Sequence, residues 1–329
     1  MNIGKVSENV LNRSILKNIT VRRSEIPAGM KVGEDCAVLS LKEGEKTLVS
    51  AASYTEDGLR NVFGCIVRAA NGIWAKGGTP YGILAQVTLP ETAEEAGLKQ
   101  LTKDINAAAD KLGLGILGVN AGVSRKVSET VVTITALGGI KADTDFGPAG
   151  MKPGNEIVIS KWVGLEGTAL MAEKYRDELA KRYPQRMIYE AESFGELISV
   201  QAEAAPAVKS GVTAMYSAGE GGIFAALWEM AEAAGVGLNI DLRAIPIKQE
   251  TIEICNFFDL NPYLLASAGA LIMATDNAEG LVSELSKAGI EAVAAGMVTA
   301  SNDRVLINGG IRRFLEPAKP DEIYKMTRE

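Results

Sequence analysis

Any chemistry in this chain has to come from carboxylates, lysines and glycine turns, because its 329 residues include no histidine. Ser-His-Asp and Cys-His catalysis and histidine-ligated zinc are therefore excluded. Acid–base work falls to Asp, Glu, Lys, Tyr or Cys. A divalent metal would be a hard, oxygen-ligated ion such as magnesium. The three cysteines, Cys36, Cys65 and Cys255, are odd in number and far apart. They make neither a metal motif nor a disulfide framework, and they suit a reducing cytoplasm.

Two stretches stand out for ligand chemistry. The first is Glu220-Gly221-Gly222, a tight turn leading into a helix expected from Ile223 to Ala234, with Phe224, Leu227, Trp228 and Ala231 on one face. Glycine at a helix start lets backbone N–H groups approach an anion, and the helix dipole favours negative charge there. The competing reading is a helix docked on a sheet, with glycines for close packing. The second stretch is Gly33-Glu34-Asp35-Cys36, a charged turn running into a strand. An acid at a strand entrance binds a metal or caps the turn, and capping is the commoner outcome.

The elements that must position these residues fall into two halves. In the first, Val6–Ile19 reads as a helix, Thr47–Ser53 as a strand and Asn61–Trp74 as a buried helix ending at Gly77-Gly78. Tyr81–Leu89 reads as a strand, Glu91–Leu112 as an amphipathic helix, and Leu114–Val119 and Glu129–Leu137 as strands. This half is α+β. Asp143–Pro153, rich in Gly, Pro and Asp, is the linker candidate. Domains are therefore expected over 1–142 and 151–329. In the second half Glu156–Trp162 reads as a strand, Ala169–Lys181 and Glu192–Ser210 as helices, and the Glu220 turn and its helix follow. Thr251–Phe257, Ala270–Ala274, Ala278–Ala288, Ile290–Val298 and a last strand Arg304–Ile307 continue the alternation. This half is α/β, and its tail is polar.

Composition narrows the class. Apolar residues make up 47% and charged residues 23%, with a net charge of −7. A soluble globular protein is implied, and a nucleic-acid footprint, which needs clustered Lys and Arg, is not. No apolar run is long enough to span a bilayer, and the N-terminus lacks a signal-peptide core. The expected location is the cytoplasm.

The order of landmarks carries more information than any one of them. GEDCAVL is followed by AANGIWAKGGTP, KPGNEIVISKWVGLEGTALMA, YSAGEGGIFAALWEMAEAAGVG and ICNFFDLNPYLLASAGALIMA. Over nearly its whole length the chain resembles the superfamily of aminoimidazole ribonucleotide (AIR) synthase, thiamine-monophosphate kinase, selenophosphate synthetase and the hydrogenase-maturation protein HypE. It is most similar to the HypE-like, AIR synthase-related branch. The resemblance implies an N-terminal α+β domain that pairs with a second subunit to close a shared β-barrel, and a C-terminal α/β domain. It also implies a homodimer and an ATP and magnesium site between these parts. The shared chemistry is ATP-driven activation of an amide or carboxyl oxygen, or phosphoryl transfer. Triphosphate transfer needs positioned cations and carboxylates to hold the metal.

Carried over residue by residue, the resemblance gives a divided result. Asp35 matches the acidic position of the first motif and would be the metal ligand. Asn71, Glu220 and the glycines Gly164, Gly167, Gly221 and Gly222 would hold the nucleotide. Acidic positions elsewhere are replaced: Tyr54 and Gly72 stand where the family has Asp, Asn155 stands in the P-G-D motif, and Tyr216-Ser217 replaces a His-Asp pair. Asn120-Ala121 also lacks the acid or histidine of its motif. Glu56 and Asp57 could form a shifted ligand set, although a solvated turn is the preferred reading for them. HypE carries its substrate group on a C-terminal cysteine, whereas this chain ends DEIYKMTRE. The HypE reaction on its own tail is therefore not expected.

Two functions follow. One is an ATP-dependent enzyme of the superfamily acting on a small molecule. The other is a dimeric small-molecule-binding or accessory maturation protein with weakened or lost ATP–magnesium chemistry, partnered with an active paralogue or a maturation protein. The missing carboxylates favour the second, and they count against both cofactors.

Overall fold

The computed structural model describes residues 3–20, 23–26, 29, 37, 39, 40, 42–55, 61–317 and 319–327. The chain divides into two compact units. Met1–Ile73 with Gly78–Thr144 forms the first, and Trp74–Gly77 with Asp145–Glu329 the second. Asp35, Cys36, Glu56 and Asp57 lie outside the described residues.

The first unit is built on a five-stranded sheet of β1 (Gly4–Lys5), β2 (Glu45–Thr55), β3 (Thr79–Pro90), β4 (Gly115–Ser124) and β5 (Val131–Lys141). Its order is β1-β4-β3-β5-β2. The β3–β4 pair is parallel and the other pairs are antiparallel. The segment expected to be one helix over Val6–Ile19 is helical but irregular. A short α1 (Glu8–Val10) passes into a π-helical turn, Leu11–Ile15, and a 3₁₀ turn, Leu16–Asn18. Polar side chains set this course: Ser14 is buried and donates to Glu95 at 2.6 Å.

Helix α2 (Val62–Trp74) follows its apolar spacing, burying Ile66, Val67, Ala70 and Ile73. Asn61 accepts the Gly64 N–H at 2.8 Å and caps the start. At the other end Gly77 takes φ 78°, and Gly78 N–H returns to Ile73 O at 3.1 Å, the pattern of a Schellman cap. Helix α3 (Glu95–Lys111) buries Leu98, Leu101 and Ile105 at helical spacing.

The second unit holds a seven-stranded sheet of β6 (Glu156–Ser160), β7 (Ala214–Ser217), β8 (Gly237–Asp241), β9 (Leu271–Thr275), β10 (Ala292–Thr299), β11 (Arg304–Asn308) and β12 (Ile311–Phe314). Its order is β12-β11-β8-β10-β6-β9-β7. Helices α4 (Leu165–Lys174), α5 (Arg176–Leu179), α6 (Gln185–Ser193), α7 (Gln201–Lys209), α8 (Gly222–Ala234), α9 (Gln249–Phe257) and α10 (Ala278–Lys287) lie between the strands in sequence. The sheet is nonetheless mixed. Among the described residues β8–β11 is its one parallel pair. Its core is the apolar face of α8, with Ile223, Leu227, Met230 and Ala231, packed on Ile157, Ile159, Leu238, Ile240 and Ile272 of the strands.

Two expectations are corrected here. The single helix over Glu192–Ser210 is instead the end of α6, a 3₁₀ turn at Phe194–Leu197, and α7. In a continuous helix the carbonyls of Leu197 and Ser199 would accept from residues 201 and 203. Here the buried Lys161 ammonium takes both, at 2.8 and 2.6 Å. Nor is Arg304–Ile307 the last strand. Gly309, at φ 62°, turns the chain into β12, which pairs antiparallel with β11.

Candidate functional site

The second unit gathers four of the glycines and Glu220 around one loop, residues 261–269. Gly164 caps the start of α4 in the left-handed region at φ 74° and donates to the Ser267 hydroxyl at 2.8 Å. Gly167 N–H reaches Ala266 O at 2.9 Å, and a Cβ there would sit 2.6 Å from Leu265 Cδ1. Gly221 and Gly222 open α8 at φ 79° and 71°. A Cβ on Gly222 would lie 2.8 Å from Leu264 Cα. Ser267 N–H closes the arrangement by donating to Gly219 O at 3.0 Å. These glycines therefore serve backbone conformation and close packing as well as any ligand. Asn71 belongs to the first unit, where it is buried on α2.

The amides at the α8 turn already hold an anion. Asp321, buried at 2% exposure, accepts N–H bonds from Gly221 at 2.8 Å, Ala266 at 3.2 Å and Ile323 at 2.9 Å. Burial pushes its carboxyl up to about 6, against the pull of these amides, and the buried Glu166 of α4 adds a like charge. After Asp321 the chain forms a 3₁₀ helix over Glu322–Thr327. It adds a bond from the Tyr324 hydroxyl to Glu220 at 2.7 Å and one from Asn261 N–H to Glu322 at 2.9 Å. The tail read as merely polar is thus docked on the turn. A phosphate arriving at Gly221 N–H would have to displace Asp321. The signal for this in the sequence is Pro320-Asp321-Glu322 ahead of Ile323, an acidic N-cap before a helical turn.

The positions where the resemblance implies other residues are occupied by packing and hydrogen bonds. Tyr54, near the end of β2, is buried. On α2, a Cβ at Gly72 would fall against the Ser50 hydroxyl of β2 and 3.1 Å from Ser50 Cβ, so helix and strand touch at the position where the resemblance implies a carboxylate. Asn155 is buried. Its Oδ1 accepts from Lys152 N–H and the Thr213 hydroxyl, each at 2.8 Å, and its amide donates to Asp276. The Tyr216 hydroxyl donates to Glu229 of α8 at 2.8 Å, and burial together with that carboxylate pushes its phenol up. Ser217 Oγ donates locally to Ala218 O at 3.3 Å. Asn120 lies within β4, in register with Gln86 of β3.

Among the described residues, no group of three or more Cys, Asp or Glu side chains is placed to hold a metal ion. Asp35, the magnesium ligand the resemblance implies, lies outside the described residues. Cys65 and Cys255 are buried thiols, and burial pushes the Cys255 thiol up to about 12, with Glu322 adding to the shift.

Two mixed sheets, each carrying helices, with glycine turns at helix starts, define a class. Family models of the AIR synthase related protein match in order, the N-terminal domain over residues 33–140 and the C-terminal domain over residues 152–308. The chain belongs to the AIR synthase-related family. Within it the likeness runs to the HypE-like branch. A putative hydrogenase expression/formation protein of Methanocaldococcus jannaschii is 24% identical over 290 residues, covering 82% of this chain and 80% of the relative. The carbamoyl dehydratase HypE of Rhodobacter capsulatus is 28% identical over 211 residues, covering 64% of this chain and 60% of the relative. Among solved structures, HypE in complex with ATP superposes with a TM-score of 0.75 at 18% identity, covering 97% of each chain. A chain of the HypE–HypF complex gives 0.71 at 20% identity, covering 84% of this chain and 92% of that one.

Proposed function

We propose that this chain is a HypE-like maturation protein acting as a homodimeric small-molecule-binding or accessory subunit, with weakened or lost ATP–magnesium chemistry. The observation that carries this reading is the contact at Gly72. Ser50 packs against Gly72, a position where the resemblance implies a carboxylate, which supports a site that has lost a metal ligand. Asp321 on the Gly221 amide supports the same reading, because the chain supplies its own anion there. Dimer formation is supported by β2, an eleven-residue edge strand whose Val49 is 64% exposed. Such an edge invites pairing. The relatives' names and the HypE–HypF structure support a hydrogenase-maturation partner.

The second reading is an active ATP-dependent enzyme that activates an amide or carboxyl oxygen, or transfers phosphate to a small molecule. The full-length likeness to HypE in complex with ATP favours it. Thermal and chemical denaturation with and without millimolar magnesium–ATP separates the two. A ligand at about 100 times its dissociation constant adds about 2.7 kcal/mol. The first reading expects no such gain and no ATP turnover. A clear gain accompanied by hydrolysis would establish the second. Light scattering tests the dimer, and a monomer would remove that part of the proposal.

A further inference from the structure

The seven-stranded sheet ends on a strand that is exposed on both faces. β12 pairs with β11 on one side and forms the edge of the sheet on the other. All four of its residues are exposed, with Ile311 at 70% and Phe314 at 68%. Its two central residues are Arg312 and Arg313. Arg243 stands by the same hairpin, with Nε on Asn308 Oδ1 at 3.2 Å. Among the described residues none of these three arginines is in an ion pair, in a chain whose net charge is −7. A cavity of 220 Å³ opens beside the strand, lined by Arg313, Phe314, Phe224 and Leu315, with the ion pair of Lys319 and Glu316 also on its wall. Phe224 stacks on Tyr263 at 4.9 Å, and the Arg313 guanidinium lies 5.8 Å from the Phe224 ring.

We propose that the β12 edge and its cavity dock an extended, acidic segment of another protein, which adds a strand to the sheet and places an aromatic side chain in the cavity. An open edge supplies main-chain hydrogen bonds, and the neighbouring pocket supplies selectivity, as in other strand-addition interfaces. Charge selects the partner. Arginines on β12 repel a second copy of β12, because like charges facing each other across a strand pair destabilise it. They attract carboxylates, and aromatic and arginine walls suit a planar side chain. Edge charges alone also serve to block pairing. Two large apolar residues left exposed on the same short strand, beside an open cavity, run against that purpose. The surface lies wholly in the second unit and is independent of whether ATP is bound or hydrolysed.

The test uses the full chain and a fluorescein-labelled peptide of alternating valine and glutamate with one central tyrosine, followed by anisotropy. Saturable binding is expected. Arg312→Glu with Arg313→Glu, both on exposed positions, should weaken it by about tenfold or more, and so should replacing the peptide's tyrosine with alanine. Equal binding of a peptide with lysine for glutamate would overturn the charge argument. Equal binding of an isomeric sequence interrupted by prolines would overturn strand addition. Absence of binding, or self-association that disappears in the double variant, would overturn the proposal.

Discussion

The carboxylate of Asp321 accepts a hydrogen bond from the backbone N–H of Gly221 at 2.8 Å, across 100 residues of chain. That bond ties the start of α8 to the tail that follows β12. Ala266 adds a second amide from the loop that also carries Ser267, the partner of Gly164. One buried anion therefore holds three separate segments, and its removal leaves buried donors without an acceptor.

Asp321→Ala should lower stability at neutral pH by about 2–4 kcal/mol, the order expected when buried amides lose a charged partner. The pH dependence has a definite sign. The folded carboxyl titrates at about 6, above its ordinary value of 3.8. Protonation therefore adds stability that is fully present below pH 3.8 and is lost as pH rises through about 6, an amplitude of about 3 kcal/mol beyond the hydrogen bonds the ionised group still makes at neutral pH. The stability difference between the native chain and Asp321→Asn should therefore shift in favour of the native chain as pH falls from 7.5 to about 4. Urea denaturation at several pH values measures it, and a flat difference would show an unperturbed carboxyl.

At Gly72 the expected cost is steric. Gly72→Ala should destabilise by about 1–3 kcal/mol, the usual penalty for overpacking. Ser50→Gly should relieve most of that in the double variant, because Ser50 supplies the clash. A double-mutant cycle by chemical denaturation gives the coupling. Coupling near zero would mean that α2 shifts freely from β2 and that Ser50 does not close the space at Gly72.

What could be read from residues alone follows from how local each cause is. α8 was expected over Ile223–Ala234 and runs Gly222–Ala234, because its apolar spacing and its flanking glycines lie within the segment itself. The glycines Gly164, Gly167, Gly221 and Gly222 were legible as turns, and the family resemblance grouped them. The break after α6 was not legible, since its cause is Lys161, 36 residues from Leu197. β12 was missed because Gly309-Gly310 looks like a terminus when it is a hairpin turn, and the strand has no buried face to give it an alternating pattern. Asp321 has a local signal as the cap of its own turn, but its hold on α8 does not: that depends on an amide 100 residues away.

Lys161 carries the last prediction. Its backbone sits at φ 51°, a region L side chains seldom adopt, and its ammonium is 2.6 Å from the Glu203 carboxylate with little exposure on either side. Burial lowers the lysine's titration and raises the glutamate's, while each partially restores the other. Lys161→Met should cost about 3–5 kcal/mol, because it strands a buried carboxylate and frees the carbonyls of Leu197 and Ser199. Adding Glu203→Leu should recover part of the loss, since an apolar pair in place of an ion pair is often neutral. Recovery should stop short of completion, because the two carbonyls still lack their donor. Full recovery by denaturation would show that the ion pair alone set the cost and that the bend between α6 and α7 holds without the ammonium.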